Sequence, residues 1–88
     1  MQATGPLIVV ADDHPLMRAA LCQALDGLQP RASVVQAATA ADALDAALAE
    51  PAPDLVLMDL RMPDAAGTTG VRMMRDRAPH VPIAVVSA

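Results

Sequence analysis

The amino-acid sequence predicts an α/β fold, an open parallel sheet of four strands with three helices packed against it. Three observations predict it. Four short apolar runs rich in Val, Ile and Leu are spaced along the chain, segments of helical periodicity lie between them, and Pro, Gly and Asp mark the junctions. A helix between two strands returns the chain to start the next strand in the same direction, so the sheet is parallel and helices cover both faces.

The first strand is Leu7-Ile8-Val9-Val10-Ala11, a continuous apolar run of the kind buried on both faces, and it ends at Asp12-Asp13. Pro15 opens the first helix, where its fixed φ and missing donor are tolerated. Met17, Leu21, Leu25 and Leu28 form one apolar stripe along that helix, and Gly27 stops it. Ser33-Val34-Val35-Gln36-Ala37 is mixed in polarity, as an edge strand is. Thr39 caps a second helix over residues 40–50, Ala-rich and so of high helix propensity, with Leu44 and Leu48 on one face and Asp42 and Asp45 in solvent. Pro51 and Pro53 end it.

Asp54-Leu55-Val56-Leu57-Met58 is the third strand and runs into Asp59, after which residues 60–67 form a loop. The third helix, over residues 68–78, turns Val71, Met74 and Ala78 inward but carries Gly70, which costs about 1 kcal/mol relative to Ala in a helix interior. Ile83-Ala84-Val85-Val86 is the fourth strand, ending at Ser87-Ala88. Residues 1–88 read as a single domain.

Composition narrows the function. With no Phe, Tyr or Trp and 55% hydrophobic residues, the core is built from Leu, Val, Ile, Met and Ala. The net charge of -4 argues against a nucleic-acid surface on this segment, because phosphate backbones are held mainly by Lys and Arg, and the six basic residues are all Arg. Cys22 has no partner for a disulfide and sits in an apolar helical pattern, as a buried thiol in a reducing compartment does. The N-terminus has no leader pattern and no apolar run reaches a membrane-spanning length, so the expected location is cytoplasmic, with no membrane contact.

A parallel sheet sends Asp12 and Asp13, Asp59 and Ser87 from the ends of the first, third and fourth strands to one rim, where open sheets bind ligands. Taken singly each has a plain explanation, such as Asp13 capping the first helix or Asp59 starting a turn. Together, three carboxylates at the exits of adjacent strands repel one another unless a cation joins them. Carboxylates and water suit Mg²⁺, whereas zinc would want His or Cys. His14 is read as a partly exposed loop residue and His80 as a surface-turn residue, neither as a ligand. In this arrangement Asp59 is a nucleophile toward phosphorus, Asp13 a direct metal ligand, Asp12 a ligand through water or directly, and the Ser87 hydroxyl a donor to a phosphoryl oxygen.

The strings Val9-Val10-Ala11-Asp12-Asp13-His14-Pro15, Leu57-Met58-Asp59-Leu60-Arg61-Met62-Pro63 with Gly67, and Val85-Val86-Ser87-Ala88 resemble the receiver domains of two-component response regulators. The resemblance covers almost the whole chain and implies a flavodoxin-like fold with strand order 2-1-3-4. It implies that Asp59 is the phosphorylation site, that Asp12 and Asp13 are the acidic pair for Mg²⁺, that the Arg61 backbone carbonyl is a further ligand and that Ser87 is the switch hydroxyl. It also implies a partner histidine kinase as phosphoryl donor, with small acyl phosphates as substitutes. The Asp-Asp-His-Pro opening is similar to receivers that precede a helix-turn-helix DNA-binding domain.

Receivers of this family have five strands and five helices, so the sequence reads as truncated after the fourth strand, without the final strand, two helices and the phosphate-binding Lys. Weak phosphoryl uptake is expected from that. With right-handed crossovers, the first helix covers one sheet face alone and the second and third cover the other, so part of one face is bare and a homodimer or domain-swapped oligomer, or only marginal folding, is expected. Two other functions compete: an aspartate-nucleophile phosphatase, which would want a second Asp where Arg61 stands, and an association module without phosphoryl-transfer competence.

Overall fold

The computed structural model describes residues 5–28 and 31–86. In chain order the elements are β1 (Leu7–Ala11), α1 (Pro15–Asp26), β2 (Ser33–Ala37), α2 (Ala40–Leu48), β3 (Leu55–Asp59), β4 (Arg61–Met62), β5 (Ala65–Ala66), α3 (Thr69–Arg77) and β6 (Ile83–Val86). The four apolar runs pair in parallel in the order β2-β1-β3-β6, which is the 2-1-3-4 order expected of them. β4 and β5, inside the segment expected to be plain loop, form a separate two-stranded antiparallel hairpin. Four residues are too short a run to carry a periodic signal.

Alternation along the strands builds two unequal cores. Val9, Ala11, Val56 and Met58 point to one face, where Ala40, Ala43, Leu44 and Ala47 of α2 and Met74 of α3 pack on them. Ile8 and Val10 point to the other, where Leu21, Cys22 and Leu25 of α1 pack with Ala32, Val34, Leu55 and Leu57. One helix on one face and two on the other is what right-handed crossovers require. The consequence is visible in α1, which has no fully buried residue, and in Leu16, 87% exposed.

Several helix expectations change in detail. α2 buries a face of alanines around Leu44, while Leu48 is exposed; a helix of small residues approaches the sheet closely, and the larger side chain at its last turn falls outside the contact. α1 ends at Asp26, so Leu28 lies beyond it and is exposed rather than part of the stripe. Gly70, unfavourable by propensity, is buried: a Cβ there would stand 2.8 Å from Met58 Cε, so the missing side chain lets α3 settle onto β3. Thr39 caps α2 as expected, its hydroxyl oxygen accepting from the Asp42 amide at 3.1 Å.

The imbalance between faces is measurable. Met74→Ala, which empties a fully buried site, should cost about 2–5 kcal/mol in denaturant unfolding, whereas Leu16→Ala should stay within about 0.5 kcal/mol. Equal effects would mean that α1 packs as tightly as α3.

Candidate functional site

Register decides where the carboxylates meet. Ala11 of β1 lies opposite Met58 of β3, so the next residues along the two neighbouring strands, Asp12 and Asp59, emerge side by side. Both are nearly buried, 3% and 7% exposed. Asp12, Asp13, His14 and Asp59 each present a ligand atom within 4.8 Å of the others. The rim opens into a cavity of about 430 Å³ lined by Asp12, Asp59, Arg61, His14 and the apolar side chains of α1 and Val86.

Local hydrogen bonds set the orientation of each group. Asp12 Oδ1 accepts from the His14 amide at 2.8 Å, and Asp59 Oδ1 accepts from the Arg61 amide at 3.1 Å. Asp59 therefore does turn the chain, as the plainer reading of it proposed, while keeping its carboxylate at the rim. Asp13 does not cap α1: the capping position is His14, whose side chain makes no cap bond. Asp13 Oδ1 is shut off from solvent without a hydrogen-bond partner, because the 2.9 Å approach of His14 Nδ1 lacks hydrogen-bond alignment. A buried carboxylate oxygen without a partner, beside two nearly buried carboxylates, is a donor set that fits a hard dication such as Mg²⁺.

His14 differs most from expectation. Its side chain is 60% exposed, as a loop residue's is, yet Nδ1 stands 3.1 Å from Asp12 Oδ1, 2.9 Å from Asp13 Oδ1 and 3.7 Å from Asp59 Oδ2. His80 is exposed in the turn after α3, as expected. Ser87, expected at the same rim, lies outside the described residues.

Two supporting residues were invisible to sequence reasoning. Arg18 donates from its guanidinium to the Asp12 carbonyl at 2.8 Å and to Gln36 at 3.0 Å, tying α1 and β2 to the acidic turn. Its position four residues after His14, on the same side of the first helical turn, is the only local hint. Asp64 accepts from the amides of Ala40 and Ala41 at 2.7 and 2.9 Å, so the hairpin after Asp59 is anchored on the N-terminus of α2. No local pattern links residues 24 apart. Gly67, at φ 64°, closes the same segment in the left-handed region that other residues rarely enter.

The family model for the response regulator receiver domain matches residues 8–88. The chain is 37% identical over 81 residues to a glycerol metabolism activator of Pseudomonas putida, covering 92% of this chain and 37% of that protein. It is 38% identical over 81 residues to a protein-glutamate methylesterase/protein-glutamine glutaminase of Cereibacter sphaeroides, covering 92% of this chain and 22% of the other. Among solved structures, a response regulator receiver protein from Pseudomonas putida superposes with a TM-score of 0.81 at 30% identity, covering 98% of this chain and 70% of that one. The chain thus spans 37% and 22% of the length of these two curated relatives.

The Asp64 anchor predicts a pH dependence. The amides of Ala40 and Ala41 hold the Asp64 carboxyl below its ordinary value of 3.8. A lowered folded-state value stabilises fully above the ordinary carboxylate value and loses its effect as pH falls through the lowered one. Asp64→Ala should therefore lower the melting temperature at neutral pH, and the gap from the unsubstituted chain should shrink in strong acid. A gap unchanged from pH 7 down to pH 2 would show that the carboxylate charge contributes nothing.

Proposed function

Because the chain belongs to the response regulator receiver domain family, we propose that it accepts a phosphoryl group on Asp59 from a histidine kinase. The observation that carries this is the nearly buried Asp59 carboxylate beside Asp12 and Asp13 at the mouth of a cavity. An Asp59 oxygen attacks the phosphorus of the kinase's phosphohistidine; the P–O bond forms as the P–N bond breaks, and the electron pair leaves with the imidazole, which takes up a proton. Asp12, Asp13, Asp59 and the Arg61 carbonyl would hold Mg²⁺, which when bound supplies charge neutralisation between carboxylates and phosphoryl oxygens. The amide bond to Oδ1 fixes the Asp59 carboxylate plane, and Arg18 holds the Asp12 turn in place. The Ser87 hydroxyl is assigned as the switch donor to the phosphoryl group.

In this reading the chain is a phosphoacceptor rather than a turnover enzyme, and another segment of the protein carries the output. The likeness to a glycerol metabolism activator and the Asp-Asp-His-Pro opening favour a transcriptional output, with DNA bound elsewhere than on this segment of net charge -4. In this reading the chemistry is cytoplasmic, where a kinase phosphohistidine and Mg²⁺ are at hand; among the described residues no helix is long and apolar enough to cross a membrane.

A second function, self-association, is favoured by the exposed Leu16 and by Val85 on the edge strand β6. It coexists with phosphoryl transfer or, in the association-only alternative, replaces it.

Incubation with acetyl phosphate and Mg²⁺ should add one phosphoryl group, read by intact mass, and Asp59→Asn or a chelator should abolish the addition. Incorporation that survives Asp59→Asn would overturn the assignment. Sedimentation of the chain should give a dimer or larger species; a monodisperse monomer would remove the association function.

A further inference from the structure

His14 occupies a place that an all-oxygen cation site does not require. Pro15 restricts the residue before it to extended backbone, and His14 adopts φ -92° and ψ 112°. Its amide is held by Asp12 Oδ1 at 2.8 Å. With the main chain fixed in this way, the ring's Nδ1 lies 2.9, 3.1 and 3.7 Å from oxygens of Asp13, Asp12 and Asp59, one from each carboxylate.

Those separations are informative. Around a six-coordinate dication with donors at about 2.1 Å, neighbouring donors stand about 3.0 Å apart. Two of the three Nδ1 separations match that edge length, and the third is within a small side-chain rotation of it. Nδ1 stands in hydrogen-bond geometry to Asp12 Oδ1 at 3.1 Å, whereas the Asp13 oxygen at 2.9 Å has no hydrogen-bond partner of its own, so a single ring proton satisfies one carboxylate and leaves the other open to a cation.

We propose that His14 Nδ1 is a fourth side-chain donor of the cation site and shifts its preference from Mg²⁺ toward first-row transition dications, least for Mn²⁺ and more for Co²⁺. The inference rests on the cation site proposed above and deepens it. Mg²⁺ is hard and bound through oxygen, whereas imidazole raises affinity along the series from Mn²⁺ to Cu²⁺. A backbone-fixed imidazole among three carboxylates is a mixed nitrogen and oxygen set, which favours the later members.

The rival account makes the ring a protonated counter-charge that occupies the cation's place and competes with it. The two accounts give opposite signs. The full chain, without an affinity tag, is titrated with Mn²⁺ and separately with Mg²⁺ at about pH 8. Binding is followed by calorimetry, since the chain has no Trp or Tyr for intrinsic fluorescence, and bound Mn²⁺ is examined by pulsed electron paramagnetic resonance. The expected result is a ¹⁴N coupling from one imidazole that disappears in His14→Ala, with Mn²⁺ affinity falling on the order of tenfold and Mg²⁺ affinity much less. Tighter binding of both ions by His14→Ala, or Mn²⁺ bound without ¹⁴N coupling, overturns the proposal while leaving the acidic site standing. Affinity for both ions unaffected by Asp13→Asn overturns the site and His14's place in it together.

Discussion

The parallel register of β1 against β3 is the constraint on which the rest depends. Ala11 pairs with Met58, and one residue further on both chains become carboxylates. A shift of one residue would turn Val10 and Leu57 to the opposite faces and carry Asp12 and Asp59 out of step, so packing of the two cores and convergence of the acidic groups are enforced by the same pairing. Desolvation works against this arrangement, since carboxylates 3% and 7% exposed are costly as charges without partners. Apolar burial by Val9, Val10, Val56 and Met58 immediately beneath them holds the strands in register against that repulsion.

The rim is then refined by groups brought from elsewhere in the chain. Arg18 comes from α1 and grips the Asp12 carbonyl; Asp64 comes from the hairpin and grips the first amides of α2. Gly67 and Gly70 act on the same segment in different ways, one by a positive φ and the other by letting α3 approach Met58. The loop that follows Asp59 is thereby fixed at three points. A carboxylate at the end of a buried strand, followed by a loop fastened to a neighbouring helix, has little freedom to drift from the position its neighbours require.

The two faces of the sheet are covered unequally. The α2 and α3 face is closely packed, with small residues allowing short approaches, whereas the α1 face is only partly covered. Arg18 and His14, at the first turn of α1, are hydrogen-bonded to Asp12, so the less tightly packed helix is also the one directly attached to the acidic turn.

The sequence by itself determined the strand and helix order, the parallel sheet, the inward faces built on Val9, Val56 and Met74, and the candidacy of Asp12, Asp13 and Asp59. Those features rest on short-range periodicity and on strand ends, which are written locally. What the tertiary structure decided are the relations between distant segments: Asp64 on α2, the burial of Gly70 against Met58, the hairpin after Asp59, the alanine face of α2 with Leu48 left outside, and the Nδ1 of His14 among three carboxylates. Each depends on how closely two elements approach in space, and a one-dimensional pattern records which residues face inward but not the distance at which they meet.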